Sequence, residues 1–210
     1  MTTTVEFLYD FGSPNAYLCH RAIPALEART GVSVQYVPIL LGGLFKLSNN
    51  QSPAVTTADI PNKRAYDMLE IRRFVGKHGI SGFQFNPFFP MNTLSLMRAA
   101  VAAEKLGCSV QYVEAMFVAM WEQGRNMNDA SDVVAALKHA GLDAQALLEG
   151  AQAPDVKAQL LANTEHAFAR GAFGSPTFFV GQEMYFGKDR MHDVELEITN
   201  RNDASQVRNT

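Results

Sequence analysis

The sequence predicts an α/β domain interrupted by an all-helical insertion, and three observations carry that expectation. Residues 1–42 read as strand, helix, strand. Residues 43–165 show almost only helical periodicity. From residue 177 onward, β-forming residues return in a hairpin that a helix follows. The two ends, 1–42 and 166–210, are therefore expected to build one split domain, with 43–165 inserted as a helical domain.

The elements follow in order. Val5 to Tyr9 (VEFLY) is short, β-branched and aromatic, and reads as a strand. Ser13 stands at a helix N-cap, with Pro14 at the first helical position. Leu18, Ala22, Ile23 and Leu26 share one helical face, and Gly31 closes the helix. Val32 to Leu41 alternates and then turns fully apolar, so a second strand is expected there, completing a parallel βαβ unit. Residues 42–62, with Gly42-Gly43, Asn49-Asn50, Pro53 and Pro61, are expected to form an irregular, mobile connection. Helices are expected over Lys63–Lys77 and Thr93–Leu106. Ser109 is expected to cap a third, whose Tyr112, Val113, Met116, Phe117, Met120 and Trp121 make a broad apolar face. Shorter helices follow at Ser131–His139 and Asp143–Glu149, and Pro154 opens another that ends at Gly171. Thr177–Val180 and Glu183–Phe186 flank a turn at Gly181-Gln182. A last helix starts near Asp189 and runs to about Thr199, before a polar tail, RNDASQVRNT, that is expected to fray.

Composition bounds the function. The 210 residues are 47% hydrophobic and 19% charged, enough apolar material for a sizeable core. A formal charge of −3 gives no basic face for nucleic acid. No apolar run spans a bilayer, and MTTTVEFLYDF lacks the basic region and apolar core of a secretory signal. Cys19 and Cys108 form no C-x-x-C, so reduced thiols in a cytoplasmic enzyme are expected. The five histidines show no metal-ligand spacing, and no metal is expected.

Two proline motifs carry the chemistry. Asp10-Phe11-Gly12-Ser13-Pro14 ends the first strand, and Gly174-Ser175-Pro176-Thr177 opens a late one. In this order they read as the two halves of a thioredoxin-like site with serine where the first redox cysteine would stand. Ser13 alone is an ordinary N-cap, worth about 1 kcal/mol. Beside free helix N–H groups, its hydroxyl is also placed to donate to an anion such as a thiolate. Pro176 suits a cis peptide bond that exposes the backbone of Ser175 for strand-like pairing with a peptide, the alternative being a trans proline opening an edge strand. In Phe186-Gly187-Lys188-Asp189-Arg190, Asp189 is placed to take a ligand ammonium while backbone N–H groups take a carboxylate; an Asp cap beside solvated cations is the alternative. Phe83, Phe85, Phe88 and Phe89, with Asn86 among them, either line a pocket for a planar ligand or pack over the core. Lys46, Asn62 and Lys63 are candidates for an acidic substrate, against the commoner reading of solvated surface groups.

Taken together, Phe11-Gly12-Ser13-Pro14, Asn62-Lys63-Arg64, Phe89-Pro90-Met91-Asn92-Thr93, Phe173 to Thr177 and Phe186 to Arg190 resemble the 2-hydroxychromene-2-carboxylate isomerase family. That family is related to kappa-class glutathione transferases and has a DsbA-like thioredoxin fold. The resemblance implies glutathione as cofactor, with Ser13 holding its sulfur as thiolate. It also implies that Ser175 and a cis Pro176 pair with the cysteinyl part, and that Phe186, Gly187, Lys188 and Asp189 lie at the γ-glutamyl end. It implies a small aromatic carboxylate substrate, met by Lys46, Asn62, Lys63, Phe85 and Asn86, and a homodimer. The implied reaction is isomerisation by reversible thiolate addition, bond rotation and elimination. A kappa-type transferase or peroxidase, and a non-catalytic DsbA-like binding protein, are the alternatives; the missing C-x-x-C argues against disulfide exchange.

Overall fold

The computed structural model describes residues 3–207, with backbone alone over 205–207. Strand β1 (Val5–Tyr9) is followed by helix α1 (Pro14–Thr30) and strand β2 (Val34–Pro38). Helices then run as α2 (Leu41–Leu47), α3 (Pro53–Thr56), α4 (Pro61–His78), α5 (Leu94–Lys105) and α6 (Ser109–Trp121). They continue as α7 (Ala130–His139), α8 (Ala144–Gly150) and α9 (Pro154–Ala169). Strands β3 (Thr177–Val180) and β4 (Glu183–Phe186) lead through a 3₁₀ turn (Lys188–Arg190) into α10 (Met191–Val207).

The sheet order is β2-β1-β3-β4. β1 pairs parallel with β2, Val5 opposite Val34, and antiparallel with β3, Val5 opposite Val180. β3 pairs antiparallel with β4, Thr177 opposite Phe186. The strand period of two sorts the side chains onto two faces. Val5, Phe7, Tyr9, Phe178 and Val180 enter a large core with α1 and the helical block. Leu8 and Phe179 enter a smaller core with Ile39, Leu44, Ala167 and Ala172, beneath α2 and α9. The larger core runs without a break from the sheet into α5, α6, α7 and α8, and the boundary expected between residues 165 and 166 falls inside the continuous helix α9.

Four expectations are corrected. The second strand is shorter than Val32–Leu41, because Leu41 begins α2. Residues 42–62 are not irregular: they hold most of α2 and all of α3, and α4 begins at Pro61. Ser109 is inside α6, and Cys108 occupies its N-cap position without a side-chain cap. Residues 201–207 are helical, with Thr3 donating to the Asn202 side chain at 3.2 Å, while 208–210 of the tail lie outside the described residues.

Candidate functional site

The first half of the site is the turn from β1 into α1. Ser13 has the extended backbone of an N-cap (φ −99°, ψ 113°), and its Oγ accepts from the Ala16 N–H at 3.2 Å. Pro14 follows at the first helical position, where its missing N–H leaves no bond unmade. The turn is held from below by Asp10, which is fully buried. One carboxylate oxygen accepts from the Gly12 N–H and the other from the Leu41 N–H, both at 2.8 Å. Burial pushes the Asp10 carboxyl up, against these bonds and one from the Thr93 side chain. Thr93 packs so closely over Gly12 that a Cβ there would lie 3.2 Å from its methyl group. Trp121, at the end of α6, donates its indole N–H to the Phe11 carbonyl at 2.8 Å.

The second half is the turn into β3. The Ser175–Pro176 peptide is cis. The Ser13 hydroxyl donates to the Ser175 carbonyl at 2.9 Å, joining two segments far apart in sequence, with Ser13 only 5% exposed. Thr177 Oγ1 donates to the Gly174 carbonyl at 2.8 Å, and the Gly187 N–H donates to the Pro176 carbonyl at 2.9 Å. Gly187 takes a positive φ of 91°, which favours glycine, and brings the 3₁₀ turn against the cis-proline turn. Phe186 lies over Gly174 and packs against Phe173, the two rings tilted by 45° with centroids 4.4 Å apart.

Around this pair the predicted residues divide. Lys188 is buried: its ammonium pairs with the exposed carboxylate of Asp189 and lies 5.4 Å from the Phe74 ring centroid. α2 flanks both halves, since Leu41 is tied to Asp10, and Asn50, just past its end, donates to the Phe173 carbonyl at 3.0 Å. Lys46 is on this helix, exposed and without a side-chain partner among the described residues. Asn62 and Lys63 are equally unpartnered on the exposed first turn of α4. Phe85 is half-exposed and meets Trp121 at 5.8 Å, edge to face, as part of an aromatic set with Phe83 and Phe89. Asn86, named with Phe85 in the sequence, is bonded within the protein. It is 2% exposed, both its N–H bonds go to the Met120 and Arg125 carbonyls, and its oxygen accepts from the Phe88 N–H. The side chain pins its own loop to the end of α6.

The sequence from residue 4 to residue 199 matches the DSBA-like thioredoxin domain. The chain belongs to that family. Within it, this DSBA-like chain is 28% identical to a 2-hydroxychromene-2-carboxylate isomerase of Sphingobium xenophagum, over 93% of its own length and 97% of the relative's. It is 29% identical to glutathione S-transferase kappa 1 of Homo sapiens, over 90% and 87% of the two lengths. Among solved structures, a 2-hydroxychromene-2-carboxylate isomerase aligns at a TM-score of 0.82 and 24% identity, covering 97% of this chain and 98% of the other. A probable DsbA oxidoreductase of Streptomyces coelicolor aligns at 0.68 and 20% identity, covering 94% and 89%.

Sequence reasoning missed three members of this DSBA-like site. Asp10 was only part of a motif, and its role depends on Leu41 and Thr93, which tertiary packing supplies. Asn50 looked like loop punctuation, yet it reaches the cis-proline turn. Asn15, two residues past Ser13, has a buried side-chain oxygen with no partner among the described residues, which nothing in its sequence context marks. Of the thiols, Cys19 is fully buried, and that burial pushes it well up; Cys108 stands at the start of α6. Neither is beside Ser13 in the turn where a second redox sulfur would stand.

Proposed function

We propose that this chain is a glutathione-dependent isomerase that interconverts 2-hydroxychromene-2-carboxylate and trans-o-hydroxybenzylidenepyruvate, or a close aromatic analogue. The observation that carries this reading is the 2.9 Å bond from Ser13 to the Ser175 carbonyl. It puts a hydroxyl donor, a helix N-terminus and a backbone edge at one point without a thiol of the chain's own, an arrangement suited to a thiol that arrives from outside.

The residues fit such a ligand. The turn at Ser175 offers the carbonyl that a cysteinyl backbone pairs with, and the Asp189 carboxylate is exposed for an ammonium. Lys188, buried beside Asp189, puts a basic side chain at that end of the site. Bound glutathione supplies a nucleophilic sulfur, whose reversible addition turns the side-chain double bond into a rotatable single bond. Ser13 donates to that sulfur, and the N-terminus of α1 favours its anionic form. Lys46, Asn62 and Lys63 hold the pyruvate carboxylate, each with its side chain exposed and without a partner among the described residues. Phe85 and its aromatic neighbours lie on the helical side of the first turn, joined to it through Trp121, and pack against the substrate ring. The same reading carries a homodimer in the cytoplasm, in keeping with two unpaired cysteines; among the described residues no helix is long and apolar enough to cross a membrane.

The near-equal identity to a kappa glutathione transferase favours a second reading, in which the same thiolate attacks an electrophilic arene at a carbon bearing a leaving group such as halide. The carbon–halogen bond breaks, the halide departs to solvent and the sulfur stays bonded to the ring. Calorimetric titration with glutathione tests what both share. The expected result is saturable binding that weakens about tenfold to a hundredfold in Ser13→Ala near neutral pH, the loss of one hydrogen bond to a charged sulfur. Absence of binding overturns both readings. Glutathione conjugation of an electrophilic arene, without isomerisation of the chromene acid, selects the second.

A further inference from the structure

The Ser13 hydroxyl has one proton, and in the free protein it is committed to the Ser175 carbonyl. Its oxygen meanwhile accepts from Ala16 at 3.2 Å, so the side chain is anchored on both sides. Among the described residues, Ser13 is the donor that the Ser175 carbonyl has. The neighbouring carbonyls are satisfied separately, Gly174 by Thr177 and Pro176 by Gly187. Donation to a sulfur anion needs the same proton. Turning it away would leave a part-buried carbonyl without a partner, which is unfavourable unless something replaces it.

We propose that ligand recognition and thiol activation are coupled through the Ser13 proton: a backbone N–H on the ligand takes the Ser175 carbonyl and thereby frees the hydroxyl for the sulfur. The inference rests on the glutathione reading and adds a selectivity rule to it. The preferred thiols are those borne by a cysteinyl residue in amide linkage, whose N–H lies within reach of the same carbonyl. Simple alkyl thiols lack that N–H. They leave the Ser13–Ser175 bond intact and gain no hydrogen bond from Ser13, so their sulfur ionises less readily than that of a cysteinyl ligand. A carbonyl oxygen has two lone pairs, so the incoming N–H docks before the hydroxyl leaves, and the exchange passes through no unpaired state. Rotation about the Cβ–Oγ bond keeps the oxygen where it accepts from Ala16. No covalent bond of the protein changes. Ser13 keeps its proton, and the thiol's proton goes to solvent.

The test compares glutathione with an analogue that has an ester oxygen in place of the cysteinyl N–H. Each is bound at saturation to the wild-type chain and to Ser13→Ala, and thiolate ultraviolet absorbance is followed against pH. On the wild type, bound glutathione is expected to ionise at least about one pH unit below its free value, which for a cysteine thiol is about 8.5. The ester analogue is expected to bind about tenfold to a hundredfold more weakly, as fits one lost hydrogen bond. Its bound thiol is expected to ionise at a higher pH than that of bound glutathione, keeping only the lowering that the N-terminus of α1 supplies. On Ser13→Ala the two ligands should show the same shift. An ester analogue that ionises as readily as bound glutathione, or that does not bind at all, overturns the coupling while the glutathione reading stands. Failure of glutathione itself to bind sinks both.

Discussion

Ser13 does two jobs with one hydroxyl, capping α1 and tying it to the cis-proline turn. Ser13→Ala is therefore expected to lower unfolding free energy in urea by about 2–4 kcal/mol, the sum of a lost cap and an orphaned carbonyl. A change below a few tenths would mean that neither bond persists in solution. Asp10→Asn is a sharper substitution than it looks. An amide accepts through one oxygen, so it serves Gly12 or Leu41 and presents N–H to the other; a loss of about 1–3 kcal/mol is expected. Gly174 is constrained by contact, since a Cβ there would lie 2.7 Å from the Phe186 ring. Gly174→Ala should destabilise the wild type by about 1–3 kcal/mol and be close to neutral in a Phe186→Ala background, a non-additivity that a double-mutant cycle measures. At this scale the sequence made Ser13, Pro14 and the Ser175-Pro176 turn legible, because caps and proline turns are local signals. Asp10 and Asn86 were not legible: an acid three residues before a cap, or an amide between phenylalanines, has no meaning until packing chooses its partners.

Between elements, α1 is fastened to α6 by charge. His20 and Arg21 meet Glu114, Arg21 also reaches Glu122, and Glu122 accepts from the Tyr17 hydroxyl at 2.9 Å. The hydrogen bond from His20, followed by those from Arg21, lowers Glu114 from 4.5 to about 2. A carboxyl depressed on folding adds stability that is present above its unfolded pKa and is lost as the pH falls toward its folded one. Wild type should therefore lose stability faster than Glu114→Gln as pH drops from 4.5 toward 2, as read by urea titration at fixed pH values. Parallel pH profiles for the two proteins would contradict the link. The helix α2 explains why one element was misread. Its sequence, LGGLFKL, has two glycines and too few residues for a helical period to emerge. Its supports come from outside: Asp10 accepts from the Leu41 N–H, and Leu44 packs with Ile39 and Phe179. Where support is intrinsic, as in the apolar face of α6 or the hairpin Thr177–Phe186, sequence and structure agree closely.

As a whole molecule, the chain couples a small mixed sheet to a helical block through one continuous core. Trp121, the only tryptophan, sits fully buried at that junction, bonded to Phe11 and ringed by Phe83, Phe85 and Phe89. Its fluorescence and the far-ultraviolet circular dichroism should report one coincident urea transition. Helix loss before the fluorescence change would show that the block unfolds on its own. The order βαβ, helices, ββα was legible because it depends on period and punctuation. The placement of β3 between β1 and β4 was not, because strand order is decided by long-range pairing. That placement sets Ser175 beside Ser13, so the site follows from topology as much as from motif. The most direct test is the interconversion of 2-hydroxychromene-2-carboxylate with its open trans-alkene, followed by absorbance with and without glutathione. The expected result is an approach to equilibrium that wild type accelerates only when glutathione is present and that Ser13→Ala slows by about tenfold or more. Equal rates with and without glutathione, or a Ser13→Ala rate equal to wild type, would contradict a mechanism in which Ser13 holds a borrowed sulfur.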